Sequence, residues 1–587
     1  MSLEIIQQTF GIILFLLPGV LLSYLISPKT DVIKRAVYSI VLAPCIVVIA
    51  GIILYSLNLL TAINTILVLI FLIISFLLII FNFDKEHQTT FNKDIFYLLF
   101  FSLIGVLWKL RFLNSIENKT DSYAYAFNFA DKVVPDLGFY TGMAIDHSRF
   151  IGMSVFSKIS EFLLINDLLD FFGIFLITFL FLGFIYLIFS EYRNRKLAFI
   201  GVALMSLGPV EIFYTTVGFF GHPFSYLALF SLFLLYKSEE KNYFLVPLLL
   251  NVTLVFTYAT SSIVNFLASI GFIIALFLKS LIKNKKIKKA FKNLDIKKIL
   301  AFSLIAIISI SFVLGSYSNS SKTNKESSSN LQLITKHITS YPLMNYKDLT
   351  FLGLSAIRWQ MMFFFLCGLT FIFHITRKRN FSENNIDLLL CLIPVFIISY
   401  GFFHVNLPTR IFNYFAFFGL LVLKIPKKYL KMFFILSFIF LLTTGFYVAE
   451  NKKVFFETSD KEIEGALWVN NSLKGKIFSD QPFVNQLILN GFYNVTGVYD
   501  NDVRIYNLFY QDNLSIFLNT TSTLSKDLGV SYIVLTKRME EKYILMVNVY
   551  QKPLINIEFY EENLKKVYDN GDVRVYKIGK NNETLKK

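Results

Sequence analysis

An α-helical polytopic membrane protein is the fold class this sequence predicts. It should have about 14 transmembrane helices, both termini outside, and a small C-terminal extracytoplasmic α/β domain. Three observations carry that expectation. Of 587 residues, 55% are hydrophobic and 16% charged, whereas about a quarter of a soluble domain is charged. Apolar runs of about 20 residues, enough to cross roughly 30 Å of hydrocarbon, recur through the first three quarters of the chain. The last quarter changes to short alternating and helical patterns.

The apolar runs fall at 9–27, 36–60, 62–83, 95–113, 170–190, 197–217, 220–236, 242–259, 261–282, 298–316, 350–375, 386–404, 409–425 and 429–448. The first has no basic segment before it and no small-residue cleavage site after it, so it is expected to stay as a helix. Residues 197–236 are too long for one span; Gly208-Pro209 and Gly221-His222-Pro223 break them into a pair.

Loop charge tests the count. Lys29, Lys34 and Arg35 follow the first run, Lys85 and Lys93 the third, Arg193, Arg195 and Lys196 the fifth, and Lys237 and Lys241 the seventh. "KNKKIKKAFKNLDIKK" follows the ninth, "TRKRN" the eleventh and "KIPKK" the thirteenth. Short loops after even runs carry almost no bases. By the positive-inside rule, odd runs end in the cytoplasm. The net charge of +16 is therefore a topology signal, and a nucleic-acid partner is not expected. Cys45, Cys367 and Cys391 all lie in apolar runs without metal-ligand spacing, so neither a disulfide framework nor a zinc site is indicated.

The chain then divides into residues 1–94, a transmembrane region 95–448 with an outer loop 114–169, and a tail 449–587. A second outer loop, about 317–349, begins "SNSSKTNKESSSN", a composition expected to be mobile. In the tail, "DKEIEGALWVNNSL" has helical spacing, and "KIFSD", "SYIVLT" and "ILMVNVY" predict strands. "VYDNGDVRVYKI" predicts a hairpin turning at Asn570-Gly571. Sequons at Asn118, Asn319, Asn470, Asn494, Asn513, Asn519 and Asn582 fall outside by this topology.

No Walker A loop, GxGxxG, HExxH or GxSxG is present, and the cytoplasmic loops are too short for a nucleotide-binding domain. Chemistry is therefore expected at the outer face. The loop 114–169 is acidic in a basic chain, and Asp121 comes about eight residues after the fourth run. A carboxylate there could accept a proton from an acceptor hydroxyl or hold a divalent cation, the one cofactor the residues suggest. The alternative is a helix N-cap at Thr120 or Asp121, and the two roles are compatible.

His147 and Arg149 in "DHSRF" could contact an anion, because a guanidinium matches phosphate geometry; an ordinary solvated arginine is the competing reading. Arg410 in "HVNLPTRIFNYF" sits at the outer lip of a helix, where it could clamp a lipid phosphate or snorkel to headgroups. Arg358 in "SAIRWQ" lies deeper and needs a partner, for which Glu211 is a candidate; Glu211 and His222 could line the same cavity or serve the core.

The stretches "TDSYAYAFNFADKVVPDLGFY", "LMSLGPVEIFYTTVGFFGHPFSYLALFSLFLLY" and "NLPTRIFNYFAFFGLLVL" resemble, in layout, the GT-C glycosyltransferases. These are integral-membrane enzymes using polyprenyl-phosphate sugars, and the likeness is to protein mannosyltransferases and aminoarabinose transferases. The resemblance covers the chain from about residue 95. It implies Asp121 as catalytic base, Arg410 facing the donor phosphate, and His147 and Arg149 as further substrate contacts, with membrane lipid, the donor, and a glycan, lipid or protein acceptor as partners. An acidic pair at the loop start is absent, since Ser122 follows Asp121, and so is any WWDYG-like motif of oligosaccharyltransferases. A glycan polymerase or ligase would share donor and topology. A transporter or flippase of polyprenyl-linked sugars would instead show internal repeats and midplane ionisable groups.

Overall fold

The computed structural model describes residues 3–82, 88–113, 151–208, 222–240, 242–257, 259–284, 286–323, 363, 366–377, 383–405, 417–456, 459–490, 492, 494–496, 508–541, 544–546, 549–551, 554 and 556–578. They form two compact units, one ending at Phe455 and one beginning at Phe456.

The first unit is a helical bundle. Its opening elements are α1 (Leu3–Ile26), β1 (Lys29–Asp31), α2 (Val32–Ser56), α3 (Ala62–Asn82), β2 (Gln88–Thr90) and α4 (Asp94–Leu113). Then come α5 (Ile151–Phe162), α6 (Asn166–Tyr192), α7 (Arg195–Leu207), α8 (His222–Lys237), α9 (Leu245–Thr257), α10 (Ala259–Asn284), α11 (Ile287–Lys292) and α12 (Ile296–Thr323). The last are α13 (Leu366–Arg377), α14 (Glu383–Leu390), α15 (Leu392–Val405), α16 (417–422) and α17 (Leu430–Phe456). Among the described residues, five helices are long and apolar enough to cross a membrane. Their lipid-facing positions are apolar: Ile63, Leu67 and Phe71 of α3 are 71%, 58% and 68% exposed. This is a multi-pass membrane protein.

Lipid tails are as apolar as leucine, so helices in a bilayer associate through close packing and small residues rather than hydrophobic burial. The α1–α2 pair shows this. Gly19 and Ser23, four apart on α1, face Ser39 and Ala43, four apart on α2. Ser23 and Ser39 hydroxyls bond at 3.0 Å. A Cβ at Gly19 would lie 2.3 Å from the Ser39 carbonyl oxygen and 2.6 Å from the Ala43 nitrogen, both backbone atoms that cannot rotate away. Gly19→Val is therefore expected to force the pair apart and lower stability by about 1–3 kcal/mol, read as a lower Tm of the detergent-solubilised protein. An unchanged Tm would mean that the helices part without cost.

One end of the bundle is held by charge. Arg195 and Asp94 form an ion pair in which Arg195 Nε donates to Asp94 at 2.6 Å, and Tyr186 donates its hydroxyl to the same carboxylate. Lys34 and Ser27 both bond Glu240. Lys237 pairs with Asp387, which Lys279 approaches to 2.6 Å. Arg193 donates to the Leu423 carbonyl and Lys298 to that of Tyr236. The loops following the first, third, fifth, seventh, ninth, eleventh and thirteenth apolar runs thus meet at one end, as the alternation of loop charge requires. Beside Arg193, burial and that neighbouring cation pull the Lys424 ammonium down to about 8.

The second unit is an α/β fold with a five-stranded sheet in the order β4-β3-β5-β9-β8. Strands β3 (Lys476–Phe478), β4 (Val495–Thr496) and β5 (Val530–Thr536) are parallel; β9 (Val573–Lys577) runs antiparallel to both β5 and β8 (Lys565–Asp569). Helix α18 (Asp460–Ser472) starts at Ser459, whose hydroxyl accepts from the Glu462 N–H at 3.1 Å. The β8–β9 hairpin turns at Gly571, whose φ of 90° is the left-handed conformation that glycine adopts without Cβ strain. Two apolar clusters fill the faces of the sheet, one around Phe478, Phe517, Ile533 and Tyr560, the other around Ala466, Ile477, Val534 and Val575.

Four features differ from the sequence reading. The run expected at 386–404 is split at Cys391 into α14 and α15. Residues 318–323, expected to be mobile, continue α12 to Thr323, because an established helix propagates without needing apolar residues. The expected strand "ILMVNVY" is instead two antiparallel strands, β6 (Ile544–Met546) and β7 (Val549–Gln551). Residues 151–162, read as loop, form α5.

Candidate active site

The sequence-predicted site residues Asp121, His147, Arg149, Glu211, Arg358 and Arg410 lie outside the described residues, and His222 is described only as the first backbone position of α8. The described helices do show where the chain segments carrying them begin and end.

Helices α4 and α7 run side by side in the same direction. Their first residues, Asp94 and Arg195, form the ion pair at the charged end. Gly105 and Ser206, each eleven residues further along its helix, touch: a Cβ on Gly105 would lie 3.3 Å from the Ser206 carbonyl oxygen. At about 1.5 Å per residue that contact is roughly 16 Å from the charged end. Both helices therefore release the chain at the opposite end, α4 at Leu113, eight residues before Asp121, and α7 at Leu207, four before Glu211.

Helix α8 ends at the charged end with Lys237 paired to Asp387, so His222 begins it roughly 22 Å away. Helix α15 starts next to Cys391 and Asp387 and ends at Val405, also at the far end. Chain returning through α16 brings Leu423 back to Arg193, and Arg410 lies on the segment between. Phe417 at the start of α16 is wedged against Phe230 at 4.5 Å and Phe233 at 5.8 Å between ring centres. Phe363, five residues after Arg358, stacks on Phe433 at 5.9 Å.

Helix α5 completes this end. It is amphipathic: Val155, Phe156, Ile159 and Leu163, just past its end, are buried, while Lys158 and Glu161 pair at 2.8 Å on the outer face. Val155 and Ile159 pack over Gly51, nineteen residues into α2, and Gly152 lies against the Phe256 carbonyl of α9. The helix therefore crosses the far ends of α2 and α9. His147 and Arg149 immediately precede it.

Leu113, Leu207 and Val405, the last described residues before the segments with Asp121, Glu211 and Arg410, and the first residues of α5 and α8 lie at the end of the bundle opposite the ion-pair network. Among the described residues, no group of three or more His, Cys, Asp or Glu side chains converges. The loop-charge reading passed over three acids, Asp94, Glu240 and Asp387. Their signal is visible in retrospect: each is an acid in or beside a basic loop, and each is the partner of a base from a different loop.

No protein-family model and no curated protein sequence matches the chain. Solved structures similar to it include the oligosaccharyltransferase of Archaeoglobus fulgidus in the apo form, at 11% identity and a TM-score of 0.49, covering 76% of this chain and 70% of that one. The same enzyme tethered to an acceptor peptide containing the NVT sequon matches at 12% identity and 0.48, again over 76% and 70%. Its complex, as AglB, with an inhibitory peptide and a dolichol-phosphate matches at 12% and 0.46, over 76% and 69%. The present chain has three tryptophans, Trp108, Trp359 and Trp468, none adjacent to another, so no WWDYG-like motif is available to it.

Proposed function

We propose that this protein is a membrane glycosyltransferase that moves a sugar from a polyprenyl-phosphate donor to a lipid, glycan or protein acceptor at the extracytoplasmic face. The observation that carries the reading is the division of the bundle into two ends. Basic loops and their ion pairs gather at one, which the positive-inside rule assigns to the cytoplasm. Leu113 and Val405, the last described residues before the acidic segment with Asp121 and the segment with Arg410, lie at the other, where a lipid-borne donor and an outside acceptor meet.

The chemistry follows from the residue types. The Asp121 carboxylate takes the proton of the acceptor hydroxyl as its oxygen attacks the anomeric carbon. The bond from that carbon to the phosphate oxygen breaks, and its electron pair leaves on polyprenyl phosphate. Arg410 stabilises that growing charge through paired N–H donors. One displacement of this kind inverts the anomeric centre. If a divalent cation takes part, Asp121 is the residue to hold it, and its charge would assist the same leaving group.

The test is an assay of purified protein with a panel of polyprenyl-phosphate sugars, reading released polyprenyl phosphate with and without acceptor. Acceptor-dependent release from at least one donor is expected. Movement of intact donor across a vesicle membrane with no release would assign the protein to transport instead.

A further inference from the structure

At the charged end most of the bases that the bundle holds in place meet an acid. Arg195 has Asp94, Lys34 has Glu240, and Lys237 and Lys279 share Asp387. Arg193 and Lys424 meet none among the described residues. The Arg193 side chain donates to the Leu423 carbonyl, and its Nε is buried without a hydrogen-bond partner. Lys424 directly follows Leu423, and its ammonium bonds nothing among the described residues.

These two cations are close to each other. Burial, and then the nearby Arg193, lower the Lys424 ammonium to about 8, so at neutral pH both groups still carry charge. Arg193 ends α6, and a helix C-terminus supplies the equivalent of about half a negative charge, too little for two cations. The pair calls for an anion from outside the chain.

The surroundings say what carries that anion. The Thr370 hydroxyl of α13 accepts from the Lys424 N–H at 3.2 Å, which sets Lys424 against that helix. Leu366, Leu369, Thr370, Phe373 and Arg377 recur along α13 at helical spacing, and all are exposed; Leu366 is 50% and Phe373 62% exposed. In a bilayer this is a strip for acyl chains that passes beside Lys424. At its charged end the Arg377 guanidinium lies 5.8 Å from the centre of the Phe373 ring, so a third cation is held along the same strip. A basic notch at headgroup level, joined to an apolar strip, matches a phospholipid. An ethanolamine or choline head would bring its own cation beside two others, where no carboxylate among the described residues receives it.

We propose that Arg193 and Lys424 form a site for one anionic phospholipid of the cytoplasmic leaflet. Its phosphate lies between the two cations, Arg377 reaches the head from the end of α13, and the acyl chains lie along the exposed strip of that helix. Glycosyl transfer is assigned to the opposite face, so the two readings stand or fall separately.

The full-length protein would be delipidated in detergent, given an equimolar mixture of phosphatidylglycerol, phosphatidylethanolamine and phosphatidylcholine of matched chains, and examined by native mass spectrometry. One glycerol lipid should be retained roughly tenfold over the other two, the scale that one or two cations near a phosphate provide. Lys424→Gln should bring the three lipids to near parity, and Arg377→Gln, at an exposed position, should lower the preference in part. Lys196→Gln removes an exposed base at the same end and away from α13, and should leave the preference unchanged. Inorganic phosphate at millimolar concentration should fail to displace the lipid. Equal retention of the three lipids, an unchanged preference in both Lys424→Gln and Arg377→Gln, or an equal loss in Lys196→Gln would overturn the proposal. Full displacement by inorganic phosphate would overturn it too, by making the free anion the ligand.

Discussion

Asp121→Asn is expected to abolish sugar transfer, by ~10²–10⁴-fold, while expression and membrane insertion stay unchanged. Asparagine is chosen because the competing role for this residue is a helix N-cap. Asparagine caps as well as aspartate does, so the substitution leaves that role intact and removes only the ionisable oxygen. Asp121→Ala would remove both and decide nothing. Full activity in Asp121→Asn would leave capping as the whole role of the residue and sink its assignment as base. A chelator added to the wild-type enzyme separates the two catalytic roles open to the carboxylate. Loss of activity restored by a divalent cation points to a cation held at Asp121, and indifference points to proton transfer alone.

What the sequence makes legible is set by physics that is local. The hairpin at Asn570-Gly571 is visible because a tight turn demands a residue at ease with positive φ, and Gly571 adopts it. Helix α18 is visible because Ile463, Ala466 and Leu467 recur at helical spacing, and its start could have been read from Ser459 with Glu462 three residues on. Loop charge is also local, which is why the alternation of bases predicts that those loops share one end.

Pairing is not local. Lys29 meets Gln88 across two helices, Asp94 meets Arg195, and Lys34 meets Glu240 from 206 residues away. Nothing in the composition of those loops says which base takes which acid. Helix α5 was hidden for a different reason: its apolar residues are few and it does not span, so a search for 20-residue runs passes over it. Of the candidate site, the sequence supplied the residues. The described helices add that the last described residues before the segments bearing Asp121, Glu211 and Arg410, and the first residue of α8, lie at a common end.

Arg538→Met is expected to cost the tail domain about 3–5 kcal/mol, the largest single-residue loss predicted there. Arg538 follows β5 and is 8% exposed; its two terminal nitrogens donate to Asp480 at 2.6 and 3.0 Å, and its Nε approaches Glu462 to 3.4 Å. Asp480 follows β3 and is fully buried, and Glu462 is 4% exposed. The cluster ties the C-terminal ends of two parallel strands to the first turn of α18. A buried pair adds little net stability over an apolar replacement, because desolvation offsets its attraction. Removing one partner is different, since it takes the Arg538 charge away from two buried carboxylates. The loss should therefore shrink when the acids go too: the triple variant Arg538→Met/Asp480→Asn/Glu462→Gln should recover more than half of it. Susceptibility of the tail to proteolysis across a denaturant series, in the full-length protein, measures both variants. A triple variant no better than the single one would mean that Arg538 acts through the packing of its own side chain, and that charge is not what holds the strand ends to α18.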